Sequence, residues 1–496
     1  MSASVWGQNL QQEIGWQEDS THFLAGFSDA LVNEKALPAY QEATHSKAWK
    51  SSSVLSTGKW VKIRTSQEGI HKIAYSQLRA WGFSNPASVC LYGNGGFMLP
   101  KMNDDFYYDD LEQNAVYHAK DGQGNDFIFF YSTGTVRWKQ EQETGLFAHE
   151  LNDYSDYAYY FLSDQGSINN VGSSQQAVGE ITHQISTFDE RIFHEVELEN
   201  LIRSGRRWFG EKFSSGQSRS VSLTLNNPVS GASAKVFIEA AGRSGANSTL
   251  GVNLNGSGVE PINFAAVNTG DVIALYADLE SRSYEVSNPQ TSVDVDLRYN
   301  ASNSNSYAWL DFITVNYTRK LEVNDQLLFR HLASVGPGNI SEFQLSVSGA
   351  DIQIWDVTDF TSPEAVSFST ANNRASFKVA TDNLREFAAF RTSAALPEPE
   401  WVGDVSNQNL HQLSGSDMVI IVHPDFLNEA NKLAQFHQQT DQLAVDVVTP
   451  GKIYNEFSGG APDVAGIRNF LKMLYDRPNS SLKYVLLFGD GSYDNK

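Results

Sequence analysis

The stretch with the most evident chemistry is YVLLF (484–488) followed by Gly-Asp-Gly-Ser-Tyr-Asp (489–494), an apolar run opening into a small acidic loop. Such a run reads as a strand of a parallel sheet, and in open α/β sheets ligands sit beyond the carboxyl ends of the strands. Gly489 and Gly491 offer the backbone freedom for a sharp turn there, and Asp490 and Asp494 present carboxylates to the crevice. These four residues are the candidate rim. Asp490 and Asp494 are also the candidate calcium ligands, with calcium set against a plain substrate-rim role. His423 ends an earlier apolar run, MVIIVH, where crevice residues belong; a general base there is the alternative, and a structural role is the preferred reading.

Other residues invite chemistry and are better read as structure. Cys90 is the one cysteine, so the chain forms no internal disulfide, and it is the only thiol nucleophile. His71 and His118 are near it in sequence, and an activated thiol needs such a base within hydrogen-bond reach. Cys90 alternates with Val89 and Leu91 in SVCLYG, however, the pattern of a buried structural cysteine. His194-Glu195 begins like a zinc-peptidase motif, but residue 198 is Leu where the second His belongs, so zinc is rejected. NDDFYYDDLEQN (103–114) and AKDGQGNDF (119–127) are acidic enough for calcium. The latter lacks the alternating carboxylates and closing Glu of an EF-hand, and Asp-Gly and Gly-Asn are hairpin dipeptides; turns are the preferred reading, calcium the alternative. YGNGG is no dinucleotide fingerprint and GDGSY no serine elbow. Trp60, Trp81, Trp138, Trp208 and Trp309 raise sugar stacking against the commoner task of filling cores.

These residues need elements to hold them. With 36 basic and 58 acidic residues in 496, the net charge of −22 argues against nucleic acid. No apolar run reaches the roughly 18 residues of a membrane span. The start, MSASVWGQNLQQE, lacks the basic beginning and apolar middle of a secretory signal; a trimmed signal with an added Met is the preferred reading. Residues 1–57 read as a lead-in closed by a Ser51-Ser52-Ser53 linker. Residues 58–165 read as a β-rich module, with a hairpin around Glu68-Gly69 and one or two helical turns from Tyr75 to Trp81. In 166–320, SVSLTLNN, AKVFIEAAG, TLGVNLNG, DVIALYADL, SVDVDLRY and WLDFITVNY alternate with period two, which predicts an antiparallel sandwich. A small β module with IQIWDV and FKVA follows at 321–400, and PEPEW reads as a stiff linker. At 415–496 the pattern changes to strand, helix, strand, helix, strand, a βαβαβ unit with a parallel sheet. The fold class is therefore multidomain: mainly β, in antiparallel sandwich modules, then half of an α/β domain.

DMVIIVHPDF, DVVTPGKIYNEFSGGAPDVAGIRNFLKMLYDR and KYVLLFGDGSYD together resemble the beginning of a gingipain-type cysteine peptidase domain, which is caspase-like. WVKIRTSQEGIHKIAYSQLRAWGF, LYGNGGFMLP, DDLEQN, DFIFFYSTG, LIRSGRRWFGE and AWLDFITVNYTRKL narrow the likeness to the type IX secretion system sortases of Bacteroidetes, amino-terminal portion only. The resemblance implies an exported cell-surface, outer-membrane cysteine endopeptidase and transpeptidase. Its partners would be the C-terminal signal domains of secreted cargo, which it removes, outer-membrane type IX secretion components, and the anionic lipopolysaccharide to which it joins the cargo. The family's catalytic His and Cys lie after the segment matching GDGSYD. No catalytic residue is therefore assigned within these 496 residues, which are expected to be an incomplete gene product, inactive alone and with no cofactor. The alternative is a non-catalytic β-sandwich interaction module, binding protein or glycan at the bacterial surface.

Overall fold

A computed structural model describes residues 49–496 apart from 104, 122, 142, 143 and 479, so nearly all of the lead-in lies outside the described residues. The first β module is two packed sheets. One runs in the order Glu400–Val405, Trp60–Thr65, Ala158–Ser163, Cys90–Tyr92, Gln113–Asn114; the other runs Glu68–Ala74, Asp126–Thr133, Tyr117–Lys120. Val61, Ile63, Ile73, Ile128, Phe130, Tyr160 and Leu162 fill the space between them. The hairpin expected at Glu68-Gly69 is not formed. Trp60–Thr65 and Glu68–Ala74 enter different sheets, because each strand buries residues on both faces and needs its own neighbours on either side. The helical turn is Tyr75–Ala80.

PEPEW is not a linker either. Glu400–Val405 pairs antiparallel with Trp60–Thr65, Trp401 opposite Ile63, as the sheet's edge. Pro397 and Pro399 stand just ahead of that strand, where proline removes no ladder bond.

The sandwich packs one sheet (Thr187–Glu195, Tyr307–Lys320, Ser233–Arg243, Asp278–Ser287) on another (Ser218–Thr224, Ser292–Asn300, Ser248–Leu254, Ser257–Phe264), with Lys212–Ser214 also pairing Tyr307–Lys320. Val236, Ile238, Leu250, Val295, Leu297, Leu310 and Ile313 meet in its core. Of the six expected strands, DVIALYADL fails. Residues 271–277 form a loop whose Val272 and Ile273 are 99% and 90% exposed. Asp271 accepts the backbone N–H of Ile273 at 3.0 Å, turn chemistry that outcompetes a ladder. Gly172–Ser174 and His183–Ile185 pair with Glu364–Val366 and Ile340–Ser346. Residues 166–186 thus help build the small module, around Ile185, Phe329, Phe343, Phe377 and Phe387.

In the last unit Val445–Val448, Met418–Val422 and Tyr484–Phe488 run parallel, with the first of them in sequence at the centre. Met418, Ile420 and Val422 pack beneath helix Leu427–Thr440, while Val419 and Ile421 pack on helices Pro450–Phe457 and Val464–Asp476. Burial on both faces is why MVIIV shows no alternation. The helix Pro450–Phe457 was not expected; Pro450 occupies its first position, where a missing N–H costs nothing. Among the described residues no helix is long and apolar enough to cross a membrane.

Candidate active-site crevice

From the central strand the chain goes to Val445–Val448, then crosses back to Tyr484–Phe488 on the other side. In open parallel sheets such a reversal is where a ligand crevice belongs, at the carboxyl ends of the strands. The structure brings His423 and the acidic loop together there: the His423 N–H donates to Phe488 O at 3.1 Å, and a Cβ on Gly489 would sit 3.6 Å from that of His423. His423 is exposed, and its Nδ1 accepts from the Asp425 N–H at 3.3 Å, capping the next turn. Neither Gly489 nor Gly491 has a positive φ, so the turn does not use the left-handed freedom expected of them. Asp490 accepts from the Gly491 N–H at 2.8 Å and Asp494 from the Lys496 N–H at 3.1 Å, so both exposed carboxylates bond within the loop. No group of three or more His, Cys, Asp or Glu among the described residues is placed to hold a metal ion.

The loop also leans on the β modules. Tyr493 stacks on Trp208 of the sandwich, ring centres 6.1 Å apart and 22° from parallel. Lys496 Nζ lies 2.7 Å from Asp156 and pairs with Glu197; burial opposes its charge, and these two carboxylates more than compensate, raising its pKa. Trp208 stood out in sequence only as a tryptophan, although LIRSGRRWFGE was a visible motif.

Beneath the crevice the α/β unit is keyed into the first module by a buried network that sequence reasoning missed. His411, fully buried, contacts Glu456 Oε2 through Nδ1 at 2.6 Å and Asp109 Oδ1 through Nε2 at 3.3 Å. Glu456, equally buried, also accepts from the N–H groups of Leu410 and His411 and from Gln408. The ring lies flat on Phe457, 4.5 Å away. Burial works against its charge, but hydrogen bonds to Asp109 and Glu456 and the charges of Asp109 and Asp110 push the His411 pKa up to about 9. Asp110 accepts from Ser53 Oγ and the Val54 N–H. The DDLEQN acids, weighed as calcium ligands, are thus receptors for protein groups. Lys62 adds a second key, donating to Gly460 O at 2.7 Å and Asn455 at 3.1 Å.

The remaining candidates are placed apart. Cys90 is buried, and burial raises its thiol pKa, the reverse of activation. His71 bonds Gly69 O, burial holding its pKa down to about 4, and His118 bonds Tyr75 OH; both are on the opposing sheet. His194 meets Glu211 at 2.9 Å, whereas Glu195 meets His149 at 2.6 Å, so the pair shares no ligand. Asp121 closes a hairpin turn, accepting from the N–H groups of Gln123 and Asn125. Trp60 and Trp309 are buried.

Residues 411–496, the unit that carries the crevice, match peptidase family C25. A crystal structure of dimeric latent PorU from Porphyromonas gingivalis superposes with a TM-score of 0.80 at 28% identity over 90% of the chain. The chain is PorU-like. It spans 43% of that PorU chain. A family 35 carbohydrate-binding module from Clostridium thermocellum also overlaps 26% of the chain and 90% of its own, with 16% identity, but at a TM-score of 0.18 it carries no argument. Among curated proteins, none matches.

Proposed function

We propose that the chain is the amino-terminal part of a type IX secretion sortase. In that reading it is a cell-surface cysteine endopeptidase that removes the C-terminal signal domain of secreted cargo and joins the new carboxyl end to anionic lipopolysaccharide. The observation that supports it is the PorU likeness along the β modules, continuing into a C25 segment whose parallel strand order reverses at the central strand. The chemistry is attack of a thiolate on a peptide carbonyl, an acyl-enzyme, and transfer to water or a glycan amine; it uses no cofactor. Backbone donors beside the nucleophile would stabilise the oxyanion.

These 496 residues contribute the sheet, one wall and the 489–494 rim, and by themselves are expected to be inactive. The test is the reading frame past Lys496. A His and a Cys at the ends of following strands are expected; a frame without them refutes the peptidase reading. The second reading, a binding module, is favoured by the exposed Val272-Ile273 loop tip, and would then be the one to test.

A further inference from the structure

We propose that Arg206, Arg207 and Trp208 act as a positioning staple, by which the sandwich sets the 489–494 rim of the crevice. The inference rests on the peptidase reading of that crevice. Three consecutive residues reach three bodies. Arg206 Nε lies 3.4 Å from Asp153 of the first module. Arg207 lies on the outer face of a sandwich sheet, Nη2 2.7 Å from Glu239 and Nε 3.4 Å from Asp311. Trp208 stacks on Tyr493 of the rim.

The staple is stiff where it must be. Glu239 and Asp311 are each 3% exposed on neighbouring strands, and Arg207 is the guanidinium between them. A buried acidic pair left without its cation is costly, and Arg207 supplies that cation with 37% of its side chain still exposed. Burial pushes the Asp311 carboxyl up, and Arg207 opposes that shift. On the amino-terminal side, Asn200 folds the loop by accepting from the Ser204 N–H at 3.0 Å. The Leu198 and Glu199 N–H groups both bond Phe209 O, and Trp309 Nε1 donates to Glu199 at 2.8 Å. Gly210 packs so closely that a Cβ would lie 2.9 Å from Val196.

The rim, by contrast, has mostly local bonds: Asp490 to Gly491 and Ser492 to Asp494. Its ties to the β modules pass through Tyr493 and Lys496. Trp208 therefore governs where the rim stands relative to a peptide lying in the crevice. Displacement of a positioning element by about 1 Å costs on the order of 100-fold in rate.

The test uses the full-length protein with its complete peptidase domain, cleaving a cargo C-terminal signal domain. Trp208→Ala and Tyr493→Ala are expected each to lower kcat by about 10- to 100-fold with KM less affected, and the double variant to be no worse than either single one. Trp208→Phe, which keeps a stacking ring, is expected to restore most of kcat. Hydrogen exchange of the 489–494 amides should quicken in Trp208→Ala while that of Trp60–Thr65 stays unchanged. Wild-type kcat and unchanged exchange in Trp208→Ala, or additive losses in the double variant, overturn the staple. A wild-type protein that cleaves no cargo overturns the peptidase reading instead, and the exchange data then decide the staple alone.

Discussion

Replacing Glu456 by Gln keeps the side chain's shape and removes the charge that holds the His411 imidazolium. In the native protein the folded pKa of His411 rises from 6.5 to about 9. At about 1.4 kcal/mol per pH unit this corresponds to an upper value on the order of 3 kcal/mol. Because the folded pKa is raised, that stability is fully present below about pH 6.5 and is lost as the pH climbs through 9. The charged groups facing the ring are Glu456, Asp109 and Asp110, while Arg477 donates to the His411 backbone carbonyl. With several modules, whole-chain melting is not two-state, so the junction is best read by hydrogen exchange at Leu410 and His411, whose N–H groups bond Glu456. Wild-type protection should fall from pH 6.5 to 9 once the intrinsic exchange rate is divided out. Glu456→Gln should lose up to about 3 kcal/mol of protection at pH 6.5 and much of the pH slope. Equal protection in both proteins at pH 6.5, or a slope of the opposite sign, refutes the reasoning.

Three further outcomes are expected. Native Cys90 should resist iodoacetamide at pH 8 and react once urea unfolds the chain, because it is buried and its thiol pKa is raised; rapid native labelling contradicts its placement. Asp463→Ala should destabilise the last unit by about 1–2 kcal/mol, the ordinary loss of an N-cap, with an added loss of protection at Leu99, whose N–H it also accepts at 2.8 Å; unchanged protection at Leu99 argues against that contact. The double change Val272→Ser with Ile273→Ser should alter stability by no more than about 0.5 kcal/mol per site, since both side chains are exposed; a larger loss in denaturant unfolding would mean that the segment packs as a strand.

What was legible in the sequence divides along physical lines. MVIIV, VDVV and YVLLF, with two amphipathic stretches between, specified the parallel unit; burial on both faces explains the uninterrupted apolar run only of the central MVIIV, because YVLLF is an edge strand with Tyr484, Val485 and Leu487 exposed. Period-two alternation found five of the six sandwich strands named, and turn chemistry at Asp271 explains the sixth. Alternation does not say which sheet a strand joins. That is why Trp60–Thr65 and Glu68–Ala74 read as one hairpin, and why PEPEW, which runs into the strand Glu400–Val405, read as a linker although that strand's partner lies some 340 residues earlier. The crevice was readable from strand ends alone, and His423 and Gly489 do meet there. The staple and the His411 network were not, because they join residues such as Asp109 and His411 whose pairing exists only once separate modules have docked.

The most direct measurement is cleavage of a cargo protein's C-terminal signal domain by the chain extended through its whole peptidase domain, followed by mass spectrometry of both products. The account predicts release of the intact signal domain, a cargo fragment carrying water or a glycan amine at its new carboxyl end, and loss of both when the nucleophilic Cys is changed to Ala. Cargo left whole by the extended protein, or cleavage that survives the loss of that Cys, would contradict it.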